Sequence, residues 1–489
     1  MKNTKRLFLV IPLIAILCLG LILVIVFGGK DTQNNGQDGD TGGYDGENTN
    51  GESGSNGSSG GSSSGSSGDV SGDESNDSVN HDHTYGEWVL EAEPTCTEYG
   101  LEKRVCACGE KETREIVSTG IHIYENGECN TCGAKEPIPS EGLAFELNSD
   151  GESYSVVGIG TCSDTDVIIP GTYNDKPVTH IGVRAFEYCG KLTSIVIPDS
   201  VTGISSDAFA NCANLTSITI GKGVKAVSGG VFGYCKKLKE IHISDIASWC
   251  NIKWSDNPFD YHYASELYLN GKLLTDLIIP NGVTSVAGAA FRSYDKLASV
   301  TIPDSVTSIG DQAFYSCDAL ASITIGSGVA SIGNTAFGAS KALKSITVSP
   351  SNPVYHSEEN CLIQTETKTL ILGCETSVIP ADGSVTMIGS SAFCYESLLT
   401  SIVIPTGVTE VGEYAFSGCE NLQSVTFPNT LKWIASKSFA ECPLVDIYFN
   451  GTKAEWDAVP KSSGYQREWD DGAYNYTVHC SDGDIVSDG

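Results

Sequence analysis

Residues 192–214 read LTSIVIPDSVTGISSDAFANCAN. Leu192, Ile195 and Ile197 alternate with small or polar residues, which is the pattern of a short strand buried on one side. Pro198 ends that strand, Val201 and Ile204 turn inward again, and Ala208-Phe209 is expected on a short helical turn. The next copy opens at Leu215, 23 residues further on.

The Ala-Phe pair or a close variant recurs at Phe186, Phe209 and Phe232, at Phe291, Phe314 and Phe337, and at Phe393, Phe416 and Phe439. A second register agrees: L-x-x-I-x-I or a close variant opens at Leu192, Leu215, Leu238, Leu274, Leu297, Leu320, Leu343, Leu399, Leu422 and Leu444. One such unit cannot bury its apolar face alone, whereas stacked copies share a continuous core. The expected fold is therefore a β-rich solenoid of short strands and short helical turns. It occupies residues 138–443, and about 15 turns rising about 4.8 Å each would fit. An N-terminal cap hairpin is expected around the turn Asn148-Ser149-Asp150-Gly151. Residues 444–489, with Trp456, Trp469, Tyr474 and Tyr476, are expected to close the other end.

The segments I-P-x-S-V-T-x-I-G-x-x-A-F at residues 197–209 and 302–314 resemble the BspA-like leucine-rich repeats of bacterial surface proteins, with Ser205 where glycine is usual. The resemblance implies binding and adhesion at the cell surface. Periodicity by itself implies only the solenoid.

Six cysteines follow a repeat phenylalanine by three residues: Cys189, Cys212, Cys235, Cys317, Cys419 and Cys442. Neighbouring coils lie within disulfide range of one another. Cys317, however, would face Tyr294 and Ser340, and Cys189, Cys212 and Cys235 are odd in number. Buried thiols filling a small core position account for all six. The exposed strand position between the two core residues carries Val196, Thr219, His242, Ile278, Thr301, Thr324, Thr347, Val403, Thr426 and Tyr448. That row is a weakly polar face: an ordinary solvated sheet, or a docking surface that works through many repeats.

Two longer steps break the rhythm. Between Phe232 and Phe291 lie Trp249, Trp254, Phe259, Tyr261, Tyr263 and Tyr268; between Phe337 and Phe393 lies CLIQTETKTLILG, which reads as an added hairpin. Ser244-Asp-Ile-Ala-Ser-Trp249 matches Gly451-Thr-Lys-Ala-Glu-Trp456 in offset. Insertions in solenoids map to loops and binding faces. Trp249, Trp254, Tyr261, Tyr263 and Trp456 are therefore candidate ligand-binding residues, unless they simply cover core.

Upstream of the repeats the text changes three times. Lys2, Lys5 and Arg6 precede an apolar run from Leu7 to Phe27, long enough to span a bilayer. Residues 1–30 read as a signal-anchor that leaves the remainder outside, the other possibility being a cleaved signal peptide. Residues 31–80 hold 13 Gly, 12 Ser and ten acids with no Lys or Arg, a composition too poor in apolar residues to fold. Residues 81–137 form a small cysteine module with knuckles Cys106-x-Cys108-Gly and Cys129-x2-Cys132-Gly. Cys106, Cys108, Cys129 and Cys132 are the expected ligands of a structural zinc in a zinc-ribbon-like unit. The first knuckle is one residue short of the usual spacing, and Cys96, His81, His83 and His122 are spare donors. Disulfides or free thiols are the other readings.

The chain has 489 residues and a formal charge of −32, distributed as +4 over 1–30, −10 over 31–80, −7 over 81–137 and −19 beyond. Such a polyanion is repelled by nucleic acid and by anionic membrane surfaces. None of the usual nucleophile, zinc-hydrolase or phosphate-loop motifs occurs, and no enzyme is expected. The reading is a monomeric, membrane-anchored extracellular binding protein with a protein or glycan ligand. The alternative is an envelope spacer without a specific ligand.

Overall fold

The structure, a computed structural model, describes residues 85–486 apart from 97, 117, 119–122, 260–265, 463–468 and 471–475. The expected anchor and tether lie outside the described residues. So do His81, His83, His122, Tyr261, Tyr263 and Tyr474. Among the described residues no helix is long and apolar enough to cross a membrane.

The repeats coil as their period requires. Strand Ser194–Ile197 lies parallel to Ser217–Ile220, and that strand to Glu240–Ile243, each pairing residue i with i+23. In every coil the two apolar strand positions point inward: Ile195, Ile197, Ile218 and Ile220 are all at most 2% exposed. A second ladder of two-residue strands, such as Gly203–Ile204 and Ala226–Val227, closes the opposite wall of the coil. The coils number about 13, against about 15 expected from length, because both long steps spend residues on hairpins and a helix.

The helical turn expected at Ala-Phe is not a helix. In each of the nine registers the residues two before and two after the phenylalanine lie in the left-handed region, from Arg184 and Tyr188 to Lys437 and Glu441. Glycine supplies only Gly230 and Gly418 of these eighteen. A left-handed L-residue costs roughly 1–2 kcal/mol. The conformation aims alternate amides at the following coil: Arg184 to Ser206 O at 3.1 Å, Phe186 to Ala208 O at 2.8 Å and Tyr188 to Ala210 O at 3.0 Å. The same triplet recurs one coil later, from Asp207, Phe209 and Asn211. The phenylalanine rings stack inside, 5.2 Å apart and parallel in Phe291–Phe314 and Phe314–Phe337.

Of the six ladder cysteines Cys212, Cys235, Cys317, Cys419 and Cys442 are buried as free thiols, whereas Cys189, in the first register, is only half-buried. The ladder also has a polar task. Five of the six thiols, all but Cys189 in the first register, donate to the carbonyl of the phenylalanine one coil earlier, among them Cys212 to Phe186 O at 3.0 Å, Cys317 to Phe291 O at 3.1 Å and Cys442 to Phe416 O at 3.0 Å. Ser340 makes the same bond to Phe314 O at 3.4 Å. Glu396 occupies this ladder position at the start of the third trio, 3% exposed. Burial, with Glu375 nearby, pushes its carboxyl up to about 8.

Three blocks of coils meet at the long steps. The first ends when Glu266–Leu269 folds back antiparallel to Lys272–Leu273. The second starts its strand ladder at Asp276–Ile278 and ends at Ser345–Val348. The expected hairpin opens the third: Cys361–Gln364 pairs antiparallel with Thr369–Leu372. Buried Asn352 turns the chain into it. Its amide donates to Gly326 O and Val329 O, and its carbonyl accepts from the Val354 and Tyr355 amides. The expected N-terminal cap is present as Ala144–Leu147 against Tyr154–Gly158, turning through Asn148–Ser153. The cysteine module packs on the end of the first block, where Asn270 Nδ2 donates to Ser118 O at 2.6 Å and the Lys272 ammonium lies 4.2 Å from the Tyr99 ring centre.

Two stability measurements follow. Cys317→Ser keeps the donor to Phe291 O and should cost less than Cys317→Ala, which leaves a buried carbonyl one bond short; chemical denaturation should separate the two by about 1–2 kcal/mol. For Glu396 the folded pKa lies above the unfolded value of about 4.3. The native state therefore holds the proton longer, and stability should fall as pH rises from about 4.3 to about 8 and then level off. Glu396→Gln should remove that slope and exceed the wild type above pH 8 by an amount on the order of 5 kcal/mol. Parallel pH curves for the two proteins would contradict the assignment.

Candidate ligand-binding face

The strand positions that point outward align in rows because parallel register repeats every 23 residues. In the first block the row between the core residues runs Ile168, Val196, Thr219, His242, Tyr268. In the second it runs Ile278, Thr301, Thr324, Thr347. In the third it runs Val403, Thr426, Tyr448, His479. Beside it lies a hydroxyl and carboxylate row: Ser194, Ser217, Glu240 and Glu266, then Asp276, Ser299, Ser322 and Ser345, then Ser401, Ser424 and Asp446.

Two rows therefore end in a phenol stacked on an imidazole. His242 and Tyr268 lie 4.8 Å apart at 17°, and Tyr448 and His479 lie 4.9 Å apart at 21°. That distance is the strand spacing, so neighbouring rings on one face stack without adjustment. Carboxylates hold both pairs in place. Glu240 meets His242 Nε2 at 3.1 Å, and Glu266 accepts from the Tyr268 hydroxyl at 2.7 Å and pairs with Lys239 at 2.9 Å. The hydrogen bond from Lys239, then that from Tyr268, lowers the Glu266 pKa below its ordinary value. In the third block His479 bonds Asp446 through Nε2 at 2.9 Å and Asp484 through Nδ1 at 3.0 Å. Those two bonds raise the His479 pKa.

The candidate aromatic residues fare differently. Trp249 lies on the short helix Ile246–Cys250, capped by Asp245, and is 1% exposed with its indole N–H donating to Ala290 O at 3.0 Å. Its ring contacts Trp254, Phe259 and Phe291, carrying the aromatic core from the first block into the second. Trp456 lies on the matching helix Lys453–Ala458, which carries a capping box from Thr452 and Glu455, and packs on Phe427, Phe449 and Trp469. Neither ring is placed to meet a ligand; both cover core. Trp254 is half-buried at one end of a groove of about 840 Å³ whose wall includes Ser285, Ser308 and Ser331. Tyr261 and Tyr263 fall outside the described residues. Of the paired rings, His242, Tyr268 and Tyr448 stand out singly in the sequence and His479 does not, because nothing local shows that residues 26 and 31 apart share a strand register.

The proposed zinc ligands also separate. Cys129 and Cys132 meet Cys96, their sulfurs all within 4.8 Å of one another. Cys106 and Cys108 are not in that group. Cys106 is buried beside Tyr85, with which it forms a bridge, and Cys108 is exposed.

The His479 geometry sets a titration test. A raised imidazole pKa stabilises the fold fully below the unfolded value of about 6.5 and loses that contribution as pH rises through the folded value. NMR titration should place His479 above an ordinary histidine. Asp484→Asn should bring it down, and hydrogen exchange in Gly483–Val486 should quicken as pH rises through that range.

The coils match the BspA type Leucine rich repeat region (six copies) over residues 161–253, 264–382 and 386–457, more than half of the chain. No curated protein matches. Among solved structures, the chain is similar to a leucine rich cell surface protein from Faecalibacterium prausnitzii A2-165, at 27% identity over 67% of this chain and 98% of that one, with a TM-score of 0.43. It is 19% identical to the Pneumococcal vaccine antigen PcpA over 64% of this chain and 81% of that one, with a TM-score of 0.42. A leucine-rich repeat protein from Bacteroides ovatus is 22% identical over 65% of this chain and 91% of that one, with a TM-score of 0.35. No catalytic family is indicated. This chain belongs to the BspA-type leucine-rich repeat family.

Proposed function

We propose that this chain is a non-catalytic adhesive binding protein, monomeric and held to the cell membrane through residues 1–30, that carries its coils outside the cell and docks an extracellular protein or glycan on the strand face. The observation that carries the reading is the register of that face: a row of serines and carboxylates in each block, lying beside a weakly polar row that ends in a carboxylate-braced ring pair in two of the three. Small hydroxyls offer many weak contacts, and aromatic rings are the side chains that most often supply a large single share of binding energy. A ligand that runs across coils would gain by summing such contacts.

Residues 81–489, immobilised and presented with a glycan panel and matrix proteins, should give saturable binding. Tyr268→Ala and Tyr448→Ala should each weaken it about tenfold or more, while Trp254→Ala reports on the groove. Absence of any saturable partner, or binding that neither tyrosine variant alters, would replace this reading with the envelope spacer.

A further inference from the structure

The cysteine module lacks what normally holds a domain together. Between Tyr85 and Glu136 the only buried apolar side chains among the described residues are Cys96, Cys106 and Cys129. Its one sizeable sheet, Val89–Ala92, Gly100–Val105 and Lys111–Ile116, is braced on the surface. Arg104 and Arg114 lie 4.6 and 4.3 Å from the Trp88 ring centre, and Arg104 pairs with Glu112. Surface pairs of that kind contribute little each. The stretch from Tyr124 to Lys135 has only the two-residue strands Tyr124–Glu125 and Glu128–Cys129. A unit of this size without a core needs a cross-link or a metal.

The three sulfurs of Cys96, Cys129 and Cys132 supply the place for one. Both contributing segments are fixed by backbone hydrogen bonds before any ion arrives. Around Cys96 the Thr95 amide donates to Glu98 O at 2.9 Å, and the Glu98 amide donates back to Thr95 Oγ1 at 2.8 Å. Around the other two, the Gly133 amide donates to Cys129 O at 2.8 Å with Gly133 at φ 72, and the Cys129 amide donates to Ala134 O at 2.7 Å. Cys96 and Cys129 are buried and Cys132 is exposed.

Distance separates a metal from a disulfide. Cys96 Sγ and Cys129 Sγ are 3.9 Å apart. Four sulfurs about 2.3 Å from a tetrahedral zinc ion stand about 3.8 Å from one another, whereas bonded sulfurs stand about 2.05 Å apart. A disulfide would also use two of the three and strand the last.

We propose that Cys96, Cys129 and Cys132 bind a zinc ion through three thiolates, tying the turn after the first strand of the module to the C-terminal knuckle. Each thiol gives its proton to solvent as its sulfur joins the metal, and no electron is transferred. The sequence pairing of Cys106 and Cys108 with Cys129 and Cys132 is thereby replaced: one knuckle is a ligand pair, and the third ligand comes from Cys96, 33 residues upstream of Cys129.

The full chain, purified under reducing conditions without added chelator, should carry about one zinc ion by elemental analysis. Cobalt exchanged into the site should show thiolate-to-metal charge transfer. Cys96→Ser and Cys132→Ser should each weaken metal retention against a competing chelator about tenfold or more, and Cys106→Ser should leave it unchanged. Cys132 is exposed, so its substitution tests the site without disturbing packing, and unchanged circular dichroism from the coils verifies that each variant is folded. Zinc lost in Cys106→Ser but kept in Cys96→Ser would overturn the proposal. So would a zinc-free protein with reduced thiols, or a peptide map placing Cys96 in a disulfide.

Discussion

The turn around each repeat phenylalanine is the constraint from which the rest of the structure follows. Sixteen non-glycine residues sit in left-handed conformation around nine phenylalanines, at a cost that would be prohibitive for isolated turns. They are tolerated because alternate amides then face the next coil in one direction, and in the six registers followed by another of the same trio each finds a carbonyl there at hydrogen-bond distance. The inward ring meets its copy at about the coil spacing, so the same geometry also fills the core. The carbonyl of that phenylalanine takes the thiol of the next coil. Conformation, packing and polar satisfaction therefore all require a following coil, and a single unit would have none of the three.

Where the first and third trios end, the following coil is imitated. After Phe232 the Asp256 carboxylate accepts the Gly230 amide at 2.6 Å, and Trp249 continues the aromatic core. After Phe439 the carbonyl of Trp469 accepts the Phe439 amide at 2.8 Å, and the rings of Trp456 and Trp469 cover the end. Both solutions use one sequence of elements: a strand, a short capped helix carrying a buried tryptophan, a parallel strand and an antiparallel return. The middle of the chain thus contains a second copy of its own C-terminal closure. The ring pairs on the outer face belong to the same closures, since Tyr268 and His479 lie on the strands that these elements add.

The coil was legible because strand alternation and the phase of leucine and phenylalanine are local and repeat. The turn conformation was not. Arg184, Tyr188, Gln312 and Thr335 carry no sign of a left-handed backbone, and Asn211 and Gly230 among them are too few to reveal it. Trp249 and Trp456 were recognised as equivalent, yet their side of the chain was not determined, because an amphipathic stretch of five or six residues does not say what lies beneath it. The sulfur triad shows the opposite failure. Spacing within a knuckle predicts that two thiols can meet, and Cys129 with Cys132 do so, but which third sulfur joins them is decided by how the module's sheet folds back.

The electrostatics of the strand face narrow what it can hold. Its carboxylates are already engaged: Glu266 by Tyr268 and Lys239, Glu240 by His242, Asp446 and Asp484 by His479. They orient rings, so a partner meets rings and hydroxyls fixed in advance and spends little conformational entropy in ordering them. The same engagement makes a cation a poor ligand there, since binding one would break bonds that hold the rings. An anionic polymer is opposed by the charge of −32 on the whole chain. The partner proposed for this face is therefore a neutral or hydroxyl-rich surface that touches the rings, which is the chemistry of a glycan or of an uncharged protein face.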